Sequence, residues 1–342
     1  MSSLDPLKVS SYYYDLPPHL IASTPSYPKD EGKLLVYERA TKKITHTTFG
    51  KIFDFIPKDT NIVLNDTKVI KARIFGTKQS GGRVELLLNS PKPDSQFLVY
   101  IKGRVKKDIK IFFEDNLIAI VKQLHDDGTR TVEFFLHDKQ LAFIELEQIL
   151  TKIGHIPLPP YIKREDTKED EEEYQSVFAK NIGAVAAPTA SLHFDENSFK
   201  KLKDMFDTHF ITLHVGAGTF KSIEVETIDK HKMHSEWYDI PKATKQLLDS
   251  SKPILAIGTT VTRTIEYYTR EKKQQGYSDL FLHPDNTPQR VNHLLTNFHL
   301  PSSTLIMLVA SFTSLEETLS LYQEAIKEEY MFYSYGDGML VI

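Results

Sequence analysis

Cysteine is absent from the 342 residues. That excludes disulfide scaffolds, thiolate nucleophiles, iron–sulfur clusters and Cys-ligated zinc. Long apolar runs are missing too. The longest, residues 305–310, has six residues, far short of the ~20 needed to span a bilayer. Residues 1–18 include Asp5, Pro6, Lys8 and Asp15 and hold no apolar core of a secretory signal. The expected location is the cytoplasm, with no membrane partner. An excess of basic charge is also lacking: 42 Lys and Arg face 46 Asp and Glu, a formal charge of −4. That excludes a uniformly basic nucleic-acid binder and leaves room for a local basic patch. Neither the glycine fingerprint of dinucleotide binders nor a P-loop signature occurs.

What is present is a soluble globular composition, 40% apolar and 26% charged. The length predicts about two domains at ~150 residues each. Residues 1–70 mix turns and prolines with one clear strand at 61–66. Residues 71–141 hold six β-like runs, at 72–75, 83–88, 97–101, 109–113, 117–121 and 129–135, broken by Gly, Pro and Asp/Asn turn signals. Six closely spaced strands suggest a small barrel or sandwich, a separate all-β domain. From 142 to 342 strands alternate with helical patterns, as in a layered α/β unit. Asp195 reads as an N-cap, and Ser314-x-x-Glu317 as a capping box. The acidic run 165–173 reads as a solvated loop or helix start.

Two strands end in Gly/Thr turns, Gly216-Ala-Gly218-Thr219 and Gly258-Thr259-Thr260. Ligands of open α/β sheets bind at the carboxyl ends of strands, so these turns either hold a polar ligand or only reverse the chain. Histidines gather in the same part: His193, His209, His214, His231, His234, His293 and His299. On a helix, His231 and His234 would share a face; on a loop they would not. A zinc site would need further ligands from this set, and a general-base or hydrogen-bonding role for one or two imidazoles is favoured over metal. Lys102, Arg104, Lys106, Lys107 and Lys110 bunch together between two β-like runs, either as a phosphate-binding patch or as a solvated face.

Longer motifs narrow the field. They run Gly154-His-Ile-Pro-Leu-Pro-Pro-Tyr161, Gly183-Ala-Val-Ala-Ala-Pro-Thr-Ala190, Leu192-His-Phe194 and Thr212-Leu-His-Val-Gly-Ala-Gly-Thr-Phe220. His234-Ser-Glu236, Gly258-Thr-Thr260 with Arg263, Thr296-Asn-Phe-His-Leu-Pro301 and Tyr335-Gly-Asp337 follow, and Asn65-Asp-Thr-Lys-Val-Ile70 precedes them. In order and spacing the chain resembles the S-adenosylmethionine:tRNA ribosyltransferase-isomerases of queuosine biosynthesis. It departs from their usual pattern at Ser191, Val261-Thr262 and His283-Pro284-Asp285.

The resemblance implies a layered α/β/α domain (1–70 and 142–342) carrying an inserted six-stranded antiparallel β-barrel (71–141). It implies an enzyme that takes the ribosyl part of S-adenosylmethionine, rearranges it and joins it to the aminomethyl-deazaguanine at the tRNA wobble position. The product is epoxyqueuosine-tRNA; adenine and methionine leave. S-adenosylmethionine is then a consumed co-substrate, no cofactor or metal is expected, and the protein is expected to be a monomer. His193, His214, His234 and His299 become candidate bases, with Asp66 and Asp337 as carboxylate alternatives. Arg263 is expected to anchor a methionine carboxylate or a phosphate, and Glu236 to meet ribose hydroxyls or the ammonium. Thr189, Thr219 and Thr259 would offer hydroxyls, with Gly216, Gly218, Gly258 and Asn297 completing the ligand edge. Lys102, Arg104, Lys106 and Lys107 would hold tRNA, and the wobble base is expected in the cleft between the two domains. The competing classes are a class-one methyltransferase, a non-catalytic tRNA-binding module and a histidine-metal hydrolase. The first expects a Gly-rich turn after its first strand, which is missing.

Overall fold

A computed structural model describes residues 4–92, 95–220 and 223–342. Four strands come first: β1 (Lys33–Glu38), β2 (Lys43–Thr48), β3 (Asn61–Asn65) and β4 (Thr67–Val69). The next seven are β5 (Arg73–Lys78), β6 (Arg83–Lys92), β7 (Gln96–Lys102), β8 (Lys110–Phe112), β9 (Leu117–Leu124), β10 (Thr129–Leu136) and β11 (Lys139–Gln140). The rest are β12 (Asn181–Ala184), β13 (Thr208–Leu213), β14 (Glu236–Asp239), β15 (Ile254–Ile257), β16 (Gln275–Ser278), β17 (His293–Asn297) and β18 (Gly338–Val341).

Strands β5 to β10 close on themselves. Each pairs antiparallel with two neighbours around the ring β5-β6-β7-β10-β9-β8. Closure leaves no open edge. The period of two is clean in β9, where Leu117, Ala119 and Val121 are buried and the residues between them are not. These side chains fill the barrel with Ile74, Leu86, Val99, Val132 and Phe134. Helix α1 (Phe143–Ile153) packs on the same core through Leu146 and Leu150, although the pattern of the sequence assigned it to the layered part.

The other large sheet has nine strands in the order β16-β14-β13-β3-β15-β17-β18-β1-β2. Its centre, β13-β3-β15-β17, is parallel. Both faces are covered, because alternate side chains go to different cores. In β1, Leu34 and Val36 face the core shared with Phe194 and Leu202; Leu35 and Tyr37 face the core shared with Val261, Ile265 and Leu321. Leu202 belongs to α3 (Glu196–Met205), Val261 and Ile265 to α5 (Thr259–Glu271), and Leu321 to α7 (Leu315–Lys327). The result is the expected α/β/α layering. Asp195 caps α3 by accepting from the Ser198 N–H at 2.7 Å, and Ser314 caps α7 by accepting from the Glu317 N–H. No single helix of the described residues is long and apolar enough to cross a membrane.

One sequence reading is corrected here. The acidic run is not wholly solvated: Asp170 is 1% exposed. Its carboxylate takes two hydrogen bonds from Arg164 and one from the Tyr335 hydroxyl. A fork-shaped guanidinium satisfies both oxygens, so burial leaves no unpaired charge.

Candidate functional site

Because β3, β13, β15 and β17 are parallel, their carboxyl ends meet on one edge. A cavity of about 600 Å³ opens there. Its floor comes from the strand ends Val215, Gly258 and Asn297, and its sides from Tyr13, Tyr14, Tyr161, Phe281, Leu308 and Tyr333. Gly258 has a φ of 99°, a left-handed conformation that favours glycine. It lets β15 turn at once into α5, so Thr259, Thr260 and Arg263 start beside the cavity.

The polar wall is a chain of charges. Arg263 (7% exposed) forms an ion pair with Glu236 (4% exposed), and both line the cavity. Glu236 also accepts the Gly216 N–H at 2.9 Å, and the His234 imidazole stands 3.4 Å from the same carboxylate. Gly218 backs the histidine. A methyl group there would lie 3.0 Å from His234 Cγ, a tight contact that would push the ring by a few tenths of an ångström. His231 and His234 sit on a loop, not a shared helical face, and the His231 ring packs against Phe281. Burial lowers the Arg263 guanidinium to about 10, with Asp279 opposing the shift. The group stays charged at neutral pH. The sequence reading gave Arg263 a ligand carboxylate or phosphate; the structure shows that it already faces a carboxylate of the protein itself.

His299 also lines the cavity but is tightly held. Its ring nitrogen bonds the Thr296 hydroxyl at 2.8 Å, its backbone N–H donates to the Tyr322 oxygen, and its carbonyl accepts from Tyr14. Burial pushes its pKa down to about 3. Thr189, Thr219, Thr259 and Asn297 line the cavity as well. Gly216 and Gly218 are not among the lining residues; they stand behind Glu236 and His234.

Four candidates lie elsewhere. Asp66 accepts from the Thr212 hydroxyl and the Asn181 amide, joining β3 to β13 and β12. His214 stacks on Trp237, with centroids 5.0 Å apart, and bonds Thr67. Asp337 accepts the backbone N–H groups of Lys33 and Met331, each at 2.7 Å, so both its oxygens hold loops together. His193 lies behind the cavity wall, stacked on Phe49. The cavity also has no lining residue from the barrel or from residues 283–291. It therefore lies within the layered part. The 283–291 loop is pinned from behind, since the buried Glu266 carboxylate accepts the N–H groups of Gln289, Arg290 and Val291, each at 2.8 Å.

The sequence reading missed the aromatic wall. Tyr161 ends the motif 154–161, but apolar residues that line a pocket carry the same pattern as those that fill a core. Lys102, Arg104, Lys106 and Lys107 are exposed on the barrel between β7 and β8. Among the described residues no group of three His, Asp or Glu side chains is arranged to hold a metal ion.

The buried imidazoles give a pH prediction. Burial first, and Lys29 second, lower His193 to about 4, and burial alone lowers His299 to about 3. Unfolded histidine titrates near 6.5. The unfolded chain therefore binds more protons below that value. The stabilisation is complete above pH 6.5 and is lost as pH falls toward 4. Moving from pH 7 to pH 5 should cost of order 1 kcal/mol or more per imidazole, visible as a falling unfolding temperature. An unfolding temperature unchanged between these pH values would contradict it.

Comparison with known proteins gives the family and supports the fold. A family described as "Queuosine biosynthesis protein" matches residues 9–341. A relative from a Nitratiruptor species is 60% identical, covering 99% of this chain and 100% of its own. One from Aliarcobacter butzleri is 58% identical over the same shares. Both are named S-adenosylmethionine:tRNA ribosyltransferase-isomerase. The solved structure of S-adenosylmethionine tRNA ribosyltransferase from Thermotoga maritima superposes with a TM-score of 0.54 at 30% identity, covering 97% of this chain and 100% of that one.

Proposed function

The chain belongs to the queuosine-biosynthesis family of S-adenosylmethionine:tRNA ribosyltransferase-isomerases, and from that premise we propose that the 600 Å³ cavity binds S-adenosylmethionine. The enzyme transfers and isomerises the ribosyl moiety of S-adenosylmethionine onto the aminomethyl-deazaguanine at the tRNA wobble position. Epoxyqueuosine-tRNA forms, and adenine and methionine are released. The methyltransferase and pure binding-module readings are not favoured.

The observation behind the site assignment is the chain His234–Glu236–Arg263 at the sheet's carboxyl edge. The sulfonium acidifies the ribose carbon bonded to sulfur. In this reading the His234 imidazole takes that proton, and the resulting ylide expels adenine. Glu236 stabilises the imidazolium, and Arg263 holds Glu236 in place. His299, held neutral by burial, contributes hydrogen bonding and shape. Thr219 and Thr259 give hydroxyls to the ligand, and the aromatic wall packs its apolar parts. Asp66, His214 and Asp337 hold the frame around the site. A photoreactive S-adenosylmethionine analogue tests this. It should label peptides around residues 13–16, 233–236 and 258–263; labelling confined to the barrel would overturn the assignment.

The barrel unit runs on through α1, which shares its core. S-adenosylmethionine is consumed, and no resident cofactor or metal takes part. The working form in this reading is a monomer. The enzyme works in the cytoplasm, where its tRNA is.

The exposed basic loop Lys102–Arg104–Lys106–Lys107 supplies tRNA phosphate contacts. Neutralising all four with glutamine should weaken tRNA binding and flatten its dependence on salt, by roughly 0.7–0.9 log units per log unit of salt for each phosphate no longer neutralised. S-adenosylmethionine affinity should hold. Filter binding across a salt series measures both slopes, and an unchanged slope would place the phosphates elsewhere.

A further inference from the structure

A hydrogen-bond relay of fixed polarity runs through the cavity wall at Asn297. Its side chain is 1% exposed. Its amide orientation is set by a partner that can only accept: Nδ2 donates to the Gly336 carbonyl at 3.3 Å. The second Nδ2 hydrogen faces His193 Nε2 at 3.2 Å. That ring nitrogen must therefore be the unprotonated one, with the imidazole proton on Nδ1. Burial favours the neutral ring in any case. The amide oxygen is left to face Thr189, whose hydroxyl donates to Oδ1 at 3.1 Å. With its one hydrogen committed, Thr189 offers the cavity only lone pairs.

We propose that His193 is a positioning residue: through Asn297 it fixes the Thr189 hydroxyl as a hydrogen-bond acceptor for an N–H or O–H donor of S-adenosylmethionine. The proposal rests on reading the cavity as the S-adenosylmethionine site. His193 is itself outside the cavity and suits the task. Its ring is stacked on Phe49 at 4.9 Å and 24°, so it cannot turn freely. Were position 193 unable to accept, one amide hydrogen would be left buried and unpaired. The amide would then hang on the single Gly336 bond and twist about it, Oδ1 would no longer stand in line with the Thr189 hydroxyl, and the hydroxyl hydrogen would swing toward the ligand. A donor would meet a donor.

The test is a double-mutant cycle read as KM for S-adenosylmethionine and kcat, with unfolding temperature as a control. His193→Leu and Thr189→Val should each raise KM about tenfold, the worth of one hydrogen bond. The double variant should be no more than about twofold worse than either, because both break one relay. His193→Gln, which returns an acceptor near the position of Nε2, should bring KM back to within about twofold of the wild type. Multiplicative losses in the double variant would overturn the relay while leaving the cavity reading intact. So would a His193→Gln as impaired as His193→Leu, or single variants with unchanged KM. Photolabelling outside the cavity would overturn the cavity reading, and the relay with it.

Discussion

Replacing Glu236 with glutamine should lower stability by about 3–5 kcal/mol. The shape is nearly kept, so the loss comes from charge. Arg263 would be left as a buried cation, still protonated at neutral pH since its pKa is lowered only to about 10. Removing one partner of a buried pair leaves the other's charge poorly compensated, with Asp279 its remaining counter-charge. For a chain of this size the unfolding temperature should fall by about 4–7 °C, and S-adenosylmethionine binding should be lost. A rescue separates stability from function. Arg263→Met combined with Glu236→Leu fills similar volume without charge and should recover most of the stability, yet bind no S-adenosylmethionine. Arg263→Lys keeps the charge but not the planar fork and should fall between. Calorimetric unfolding and equilibrium dialysis on the same preparations read both properties. Glu236→Gln unfolding at the wild-type temperature would show that the pair does not bear on the fold.

His234→Ala should cut the single-turnover rate by about 10²–10⁴, the usual contribution of one positioned acid–base group. S-adenosylmethionine affinity should change by no more than a few fold, and the unfolding temperature little, because the ring is 29% exposed at the cavity wall. His299→Ala should behave in the opposite way. Its ring bonds the Thr296 hydroxyl, so stability should drop by about 2 kcal/mol or more through an unpaired buried hydroxyl and a small cavity. Rapid-quench kinetics with substrate tRNA, run beside thermal unfolding, distinguishes the two patterns. A His234→Ala enzyme with a near-normal rate would move the base elsewhere, and Glu236 would be the next residue to test.

The sequence showed the barrel well. Its six runs lie within one or two residues of most strand positions because alternation and turn residues are local signals, and closure follows from short connections. Asp195 and Ser314 were legible as caps for the same reason. Asp170 was not. Its burial depends on Arg164 and on Tyr335 from the far end of the chain, a contact no local pattern encodes. The site divides along the same line. Gly258, Thr259 and Arg263 follow a strand directly, so strand-end logic finds them. That Arg263 meets Glu236 depends on β14 lying two strands away from β3, one strand in from the sheet's edge, which the order of elements does not state. His193, His214, Asp66 and Asp337 look like His234 in sequence. Only the fold shows that Asp337 spends both oxygens on backbone N–H groups while His234 faces the cavity.

The central claim is that this chain spends the ribose of S-adenosylmethionine on tRNA. Two labelled forms of the co-substrate, one in the ribose and one in the methyl group, decide it when each is incubated with the protein and tRNA bearing the aminomethyl-deazaguanine. Ribose label should enter tRNA in proportion to adenine released, and methyl label should leave with methionine. Methyl label in the tRNA, with the ribose still attached to adenine, would contradict the account.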